Sequence, residues 1–187
     1  MILPIVAYGD SILRKTADEI SADSVELQQL IDDMFETMEA SRGVGLAAPQ
    51  INKAIRLFII DSSRMYDDDD ADKADATREV FINAKILEED GKSWTYEEGC
   101  LSIPGIREDV ARKPQIKIEY LDRKFKKHTK SFSGLTARVI QHEYDHIEGK
   151  LFIDHISPLR RSLLKRKLDN ITKGITNADY KMRFPKR

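Results

Sequence analysis

Apolar residues recur every three to four positions through SVELQQLIDDMFETMEA (24–40), where Leu27, Leu30, Ile31, Met34, Phe35 and Met38 share one face. That period predicts a helix, with Asp23 or Ser24 as its cap. A glycine-containing loop, GVGLAAPQ (43–50), then leads into AIRLFIID (54–61), an isoleucine-rich run with polar flanks that predicts a strand. Two further strand-like stretches follow, VFINAKIL (80–87) and QIKIEYL (115–121). The alternation in KKHTKSFS (126–133), after a turn at Asp122-Arg123, predicts a hairpin partner for the second. Another helix is predicted from near Ser133 to Gly149, a glycine suited to the C′ position. A last helix has Ser157 as cap, Pro158 at its first position and Gly174 past its end.

Strands of mixed length between separated helices, without regular βαβ alternation, predict an α+β fold. Short antiparallel β-sheets would surround a central helix, with an N-terminal helix and a C-terminal helix beside them. A single catalytic domain over 1–187 is expected, with 62–79 as an acidic surface insertion and 175–187 as a loosely held tail.

Composition narrows the class. Apolar residues make up 41% and charged residues 34%, the balance of a folded, well-solvated chain. A net charge of −1 points to neither DNA nor a membrane as the main partner. No segment approaches a membrane span, and the N-terminus lacks the pattern of a signal peptide. A lone cysteine, Cys100, forbids an internal disulfide and suits a reducing compartment, so a cytoplasmic protein is expected.

The central helix carries the candidate chemistry. In VIQHEYDHIEG, His142 and His146 lie four residues apart and share a helical face, so both imidazoles can grip one metal ion. Glu143 sits beside them and need not bind the ion, which leaves it to handle the protons of a bound water. A third ligand is needed. A metzincin would carry a histidine where Phe152 stands, and a thermolysin-like enzyme a later glutamate, yet no glutamate follows Glu148. Asp154, Asp169, Asp179 and His155 remain downstream candidates; upstream, Cys100 in EEGCLSIPG is the strong one, a soft ligand between a glycine and a Ser-x-Pro turn. GVGLAA also fits a dinucleotide-binding fingerprint, but it runs from helix to strand, the reverse of that motif's context.

GVGLAAPQ (43–50), EGCLS (98–102) and QHEYDH (141–146), in that order, resemble the three motifs of the peptide deformylases. The resemblance spans roughly residues 1 to 160; only Tyr144 takes a position the family usually leaves apolar. It implies removal of the formyl group from the N-formylmethionine of newly made polypeptides, with release of formate. It also implies Cys100, His142 and His146 as ligands of one divalent ion, Fe²⁺ in cells, with Zn²⁺, Ni²⁺ or Co²⁺ able to substitute. Glu143 becomes general base and then acid, while the Gln50 side-chain amide and the Leu101 backbone N–H become oxyanion donors. Gly45 would let the substrate backbone approach closely, and Val44, Leu135 and Val139 are the expected methionine pocket.

Two other functions compete: a His-Glu-x-x-His metallopeptidase using a downstream aspartate, and a non-enzymatic metal-binding module. Among flanking residues, Arg138 would face Glu98, and Asp145 would orient a ligand histidine or sit in a surface ion pair. His128 and His155 read as bystanders. The basic face of the last helix, Arg160, Arg161, Lys165, Arg166 and Lys167, offers electrostatic docking on ribosomal RNA.

Overall fold

The computed structural model describes residues 1–185, apart from the side chains at 71 and 72. Its strands are β1 (Ile5–Val6), β2 (Gly45–Ala47), β3 (Leu57–Asp61), β4 (Arg78–Asp90), β5 (Trp94–Cys100), β6 (Ile103–Arg112), β7 (Gln115–Leu121), β8 (Lys127–Ser133) and β9 (Met182–Arg183). The helices are α1 (Val25–Ala40), α2 (Gly134–Ile147) and α3 (Pro158–Thr172), joined by short 3₁₀ turns. This is the α+β arrangement expected. Strands β2-β3-β4-β7-β8 form an antiparallel sheet, β5 and β6 a long hairpin, and β1 pairs in parallel with β9.

Local chemistry fixes the helix ends. Ser24 Oγ accepts from the Leu27 N–H at 3.1 Å and starts α1, and Ser157 caps α3 in the same way. Past α2, Gly149 takes a left-handed φ of +71°, where a Cβ would meet the Arg14 carbonyl at 2.7 Å. That position needs glycine twice over, for conformation and for space.

α2 is buried on nearly every side. One face packs with Phe58, Phe81, Ile118 and Tyr120 of the sheet through Ala137, Val139, Ile140 and Ile147. Yet Arg138, Gln141, Glu143 and His146 are buried as well. Polar groups removed from water need partners; Arg138 finds them on the β5–β6 hairpin, at Glu98, Val110 and Trp94, and Gln141 at the Lys113 and Ala137 carbonyls.

That hairpin was not anticipated. Along β6, every second residue from Ile106 to Arg112 points inward, but the inward set includes Glu108 and Arg112 beside Ile106 and Val110. Two buried charges break the apolar alternation that marks a strand. The C-terminal expectation is also corrected for its described part, residues 186 and 187 lying outside it. Ile5 N–H donates to the Lys181 carbonyl at 2.9 Å and Ala7 N–H to that of Arg183 at 2.8 Å, tying the segment to β1. Within 62–79, residues 67–70 are exposed, as are several others, while Ser62 and Tyr66 are buried against the first turn of α2 through the Thr136 hydroxyl, at 2.8 and 3.0 Å.

Candidate active site

Four elements bring the residues of the candidate centre together at one cavity of about 980 Å³, which all of them line except His146, buried beside Cys100. α2 supplies His142, Glu143 and His146; the β5–β6 turn supplies Cys100 and Leu101; the 3₁₀ turn after β2 supplies Gln50, and β2 itself Gly45. Cys100 Sγ and one ring nitrogen of each histidine all lie within 4.8 Å of one another, with Cys100 Sγ 3.4 Å from His146 Nε2. A thiol and two imidazoles at that spacing make a donor set that can hold a divalent ion.

His142 is oriented from behind. Glu98, buried under the site, accepts from its Nδ1 at 2.9 Å, which leaves Nε2 as the ligating nitrogen once it is deprotonated. His146 Nδ1 is buried without a partner among the described residues. Burial works against protonating His142, but hydrogen bonds to Cys100 and Glu98 outweigh it and raise its pKa. Burial and the neighbouring His142 charge drive His146 down to about 3, so it stays neutral, the form a metal ligand requires.

Glu98 is the centre of the supporting network. Arg112 grips its carboxylate with two bonds, 2.6 and 3.0 Å, and Arg138 adds a third at 2.7 Å. Burial alone would raise its pKa, yet His142 and Arg112 hold the carboxyl well below the usual carboxylate range. The Arg138 contact is the one anticipated; Arg112 was missed. Arg112 also reaches Asp145 at 2.8 Å, and Asp145 accepts from His155 at 2.7 Å, so Asp145 serves this network and not a ligand histidine.

Glu143 lies in a different setting. It is 4% exposed, its Oε2 has no partner among the described residues, and burial pushes its pKa up to about 7. A Cβ placed on Gly45 would fall 2.7 Å from Glu143 Cγ and Cδ and closer still to Oε1. The glycine therefore makes room for this carboxylate. Gln50 is oriented by its own turn: Oε1 accepts from Ala47 N–H at 2.9 Å, which turns Nε2 toward Cys100 Sγ at 3.5 Å and Ser102 Oγ at 3.3 Å.

The cavity wall includes Val44, Val139 and Leu101. Leu135 does not line it; it lies half-buried in the first turn of α2, away from the cavity. Unanticipated residues of the wall come from the C-terminal segment, Ile175 to Tyr180. The downstream ligand candidates are occupied elsewhere: Asp154 pairs with Arg14 at 2.5 Å, Asp179 with Arg42, His155 with Asp145, and Asp169 is exposed on α3. Phe152 stacks on the His142 ring, centroids 6.1 Å apart. His128 pairs with Asp122, remote from the site.

Residues 2–162 match the family described as polypeptide deformylase. A peptide deformylase of Christiangramia forsetii is 54% identical over 190 residues, covering 99% of this chain and 97% of that protein. One from Cytophaga hutchinsonii is also 54% identical, covering 99% and 98%. A crystal structure of the Legionella pneumophila peptide deformylase superposes with a TM-score of 0.79 at 40% identity, covering 92% of this chain and 96% of that one. With the family matched over most of its length and relatives aligned nearly end to end, this chain belongs to the polypeptide deformylases.

Proposed function

We infer that this chain removes the formyl group from N-formylmethionine at the start of new polypeptides, releasing formate. The observation that carries the reading is the convergence of Cys100, His142 and His146 beside the buried Glu143 carboxylate, in a cavity open to a peptide. A metallopeptidase built on a downstream aspartate loses its ligand, because Asp154 and Asp179 are both held in ion pairs.

Cys100, His142 and His146 would hold the metal, and Fe²⁺ is the ion proposed for the cell. When bound, a divalent ion supplies Lewis acidity, polarising a carbonyl and bringing the acidity of water toward neutral pH. Glu143, lifted to about 7, takes a proton from the attacking water as its oxygen bonds to the formyl carbon. The carbonyl oxygen gains negative charge and is met by the Gln50 Nε2 donor and the Leu101 N–H. Glu143 then returns the proton to the departing amide nitrogen; the carbon–nitrogen bond breaks, leaving formate and a free amine. Val44 and Val139 offer the apolar wall for the methionine side chain. Gly45 keeps the backbone near Glu143 free of side-chain bulk.

We take the chain as one catalytic domain, a reading supported by the β1–β9 pairing that joins its two ends. No helix among the described residues is long and apolar enough to cross a membrane; a cytoplasmic site of action is proposed from the lone cysteine, Cys100. Ribosome docking through α3 is proposed from its exposed basic residues, Arg161, Lys165, Arg166 and Lys167. The decisive test is formate release from a formyl-methionyl peptide by anaerobically purified protein, with the metal identified by elemental analysis. A metal-loaded preparation that releases no formate overturns the reading.

A further inference from the structure

Tyr180 lies outside all three motifs, yet it touches the site. Its hydroxyl donates to the Leu101 carbonyl at 2.8 Å, and its ring packs in the same apolar cluster as Leu101. Burial, with the Cys100 charge adding, raises the phenol pKa, so the group remains a donor across the neutral range.

The segment that carries it is anchored on both sides. Gly174, at φ +79°, turns the chain away from α3. Asp179 then pairs with Arg42, at the mouth of the glycine loop, and Met182–Arg183 join β1. Tyr180 is thereby held between two fixed points while residues 175–180 wall the cavity.

The Leu101–Ser102 turn is gripped from several directions. Tyr8 N–H donates to the Ser102 carbonyl at 2.8 Å, and Gln50 Nε2 reaches Ser102 Oγ at 3.3 Å. Tyr180 holds the carbonyl between these and Cys100. A peptide unit is planar, so anchoring the one that follows Leu101 removes most of that residue's freedom to swing. Cys100, packed against His146 and Gln50 on the other side, restrains the preceding unit. The Leu101 N–H, which belongs to that preceding unit, is left with a narrow range of directions.

We propose that Tyr180 is a positioning residue for deformylation: through the Leu101 carbonyl it aims the Leu101 N–H at the developing oxyanion. This rests on the oxyanion role given to Leu101 above. One neutral hydrogen bond that acts mainly in the transition state corresponds to a roughly three- to tenfold effect on rate.

Two variants of the full, metal-loaded chain test it. Tyr180→Phe keeps the ring and removes the hydroxyl. The second variant carries 2-hydroxy-4-methylpentanoic acid at position 101, which turns the Cys100–Leu101 amide into an ester and deletes the N–H alone. Tyr180→Phe is expected to lower kcat roughly three- to tenfold while KM for a formyl-methionyl peptide stays within about twofold. In the metal-free chain it shifts the Ser102 amide nitrogen resonance, which senses a hydrogen bond to the carbonyl before it. On the ester background Tyr180→Phe has no further effect on kcat. A lowered melting temperature with kcat unchanged, in a protein whose ester variant is impaired, overturns the positioning role and leaves the oxyanion role standing. An ester variant as fast as the unmodified chain overturns both.

Discussion

Replacing Gly45 by alanine isolates the geometry of the general base. The added Cβ would lie 2.7 Å from Glu143 Cγ and Cδ, whereas ordinary contacts begin near 3.4 Å. The carboxylate must therefore retreat by roughly 0.7 Å or more. The room for that retreat lies on the cavity that Glu143 lines, so the move shifts the carboxylate from its place in the site. A displacement approaching 1 Å in a catalytic group costs on the order of 10²-fold in rate. Overpacking adds about 1–3 kcal/mol of lost stability, small enough for the variant to be purified. Formate release by Gly45→Ala is expected to show kcat down about 10²-fold with metal content unchanged. On a Glu143→Gln background, where the base is already gone, the alanine should add little. A rise in KM with kcat intact would instead place Gly45 against the substrate backbone, as the sequence alone suggests. Full additivity on the Glu143→Gln background would equally refute the argument.

Other outcomes follow from the same geometry. Cys100→Ser replaces a soft ligand by a hard, weak one, so metal retained after dialysis falls about tenfold or more by elemental analysis; retention at the unmodified level would contradict the ligand assignment. Glu98→Ala leaves Arg138 buried without an anion and Arg112 with Asp145 alone, and should cost about 3–5 kcal/mol, a melting temperature lower by on the order of 10 °C. A calorimetric shift of only a degree or two would mean that the cluster contributes little. Metal-free protein tests the Glu143 environment. Its pKa rises from 4.5 to about 7, so the folded state keeps a proton that the unfolded state has shed between those values. Stability from this group is full below about pH 4.5 and is lost as pH climbs through 7, on the order of 3 kcal/mol in all. Urea unfolding at pH 5 and pH 8 should reveal that decline in the unmodified chain and a smaller one in Glu143→Gln; equal declines would contradict it.

The elements that were legible in the sequence are those governed by local rules. α1 and α3 carry serine caps, and α2 and α3 end on glycines, within a few residues of the chain, and β7 and β8 follow a two-residue period. The β5–β6 hairpin was hidden because its inward face holds Glu98, Glu108 and Arg112, charges whose partners are distant in sequence. The histidine pair could be read from helical spacing, and Cys100 from its chemistry and setting. Leu135 was misplaced because helical spacing gives a face but not which part of that face borders the cavity. Nothing local marks Tyr180: its contact with Leu101 spans 79 positions and depends on the pairing of β9 with β1. Gly45 was singled out for a plausible reason, approach of a ligand, while its nearest neighbour proves to be Glu143.

The rigidity of α2 has a consequence for metal choice. His142 is oriented by Glu98, and the thiol is carried by the β5–β6 hairpin, so contacts within the protein help to shape the trio. A cradle formed in advance discriminates weakly among ions of similar radius that accept sulfur and nitrogen donors. Swapping one ion for another would change the speed of the enzyme without requiring the chain to refold.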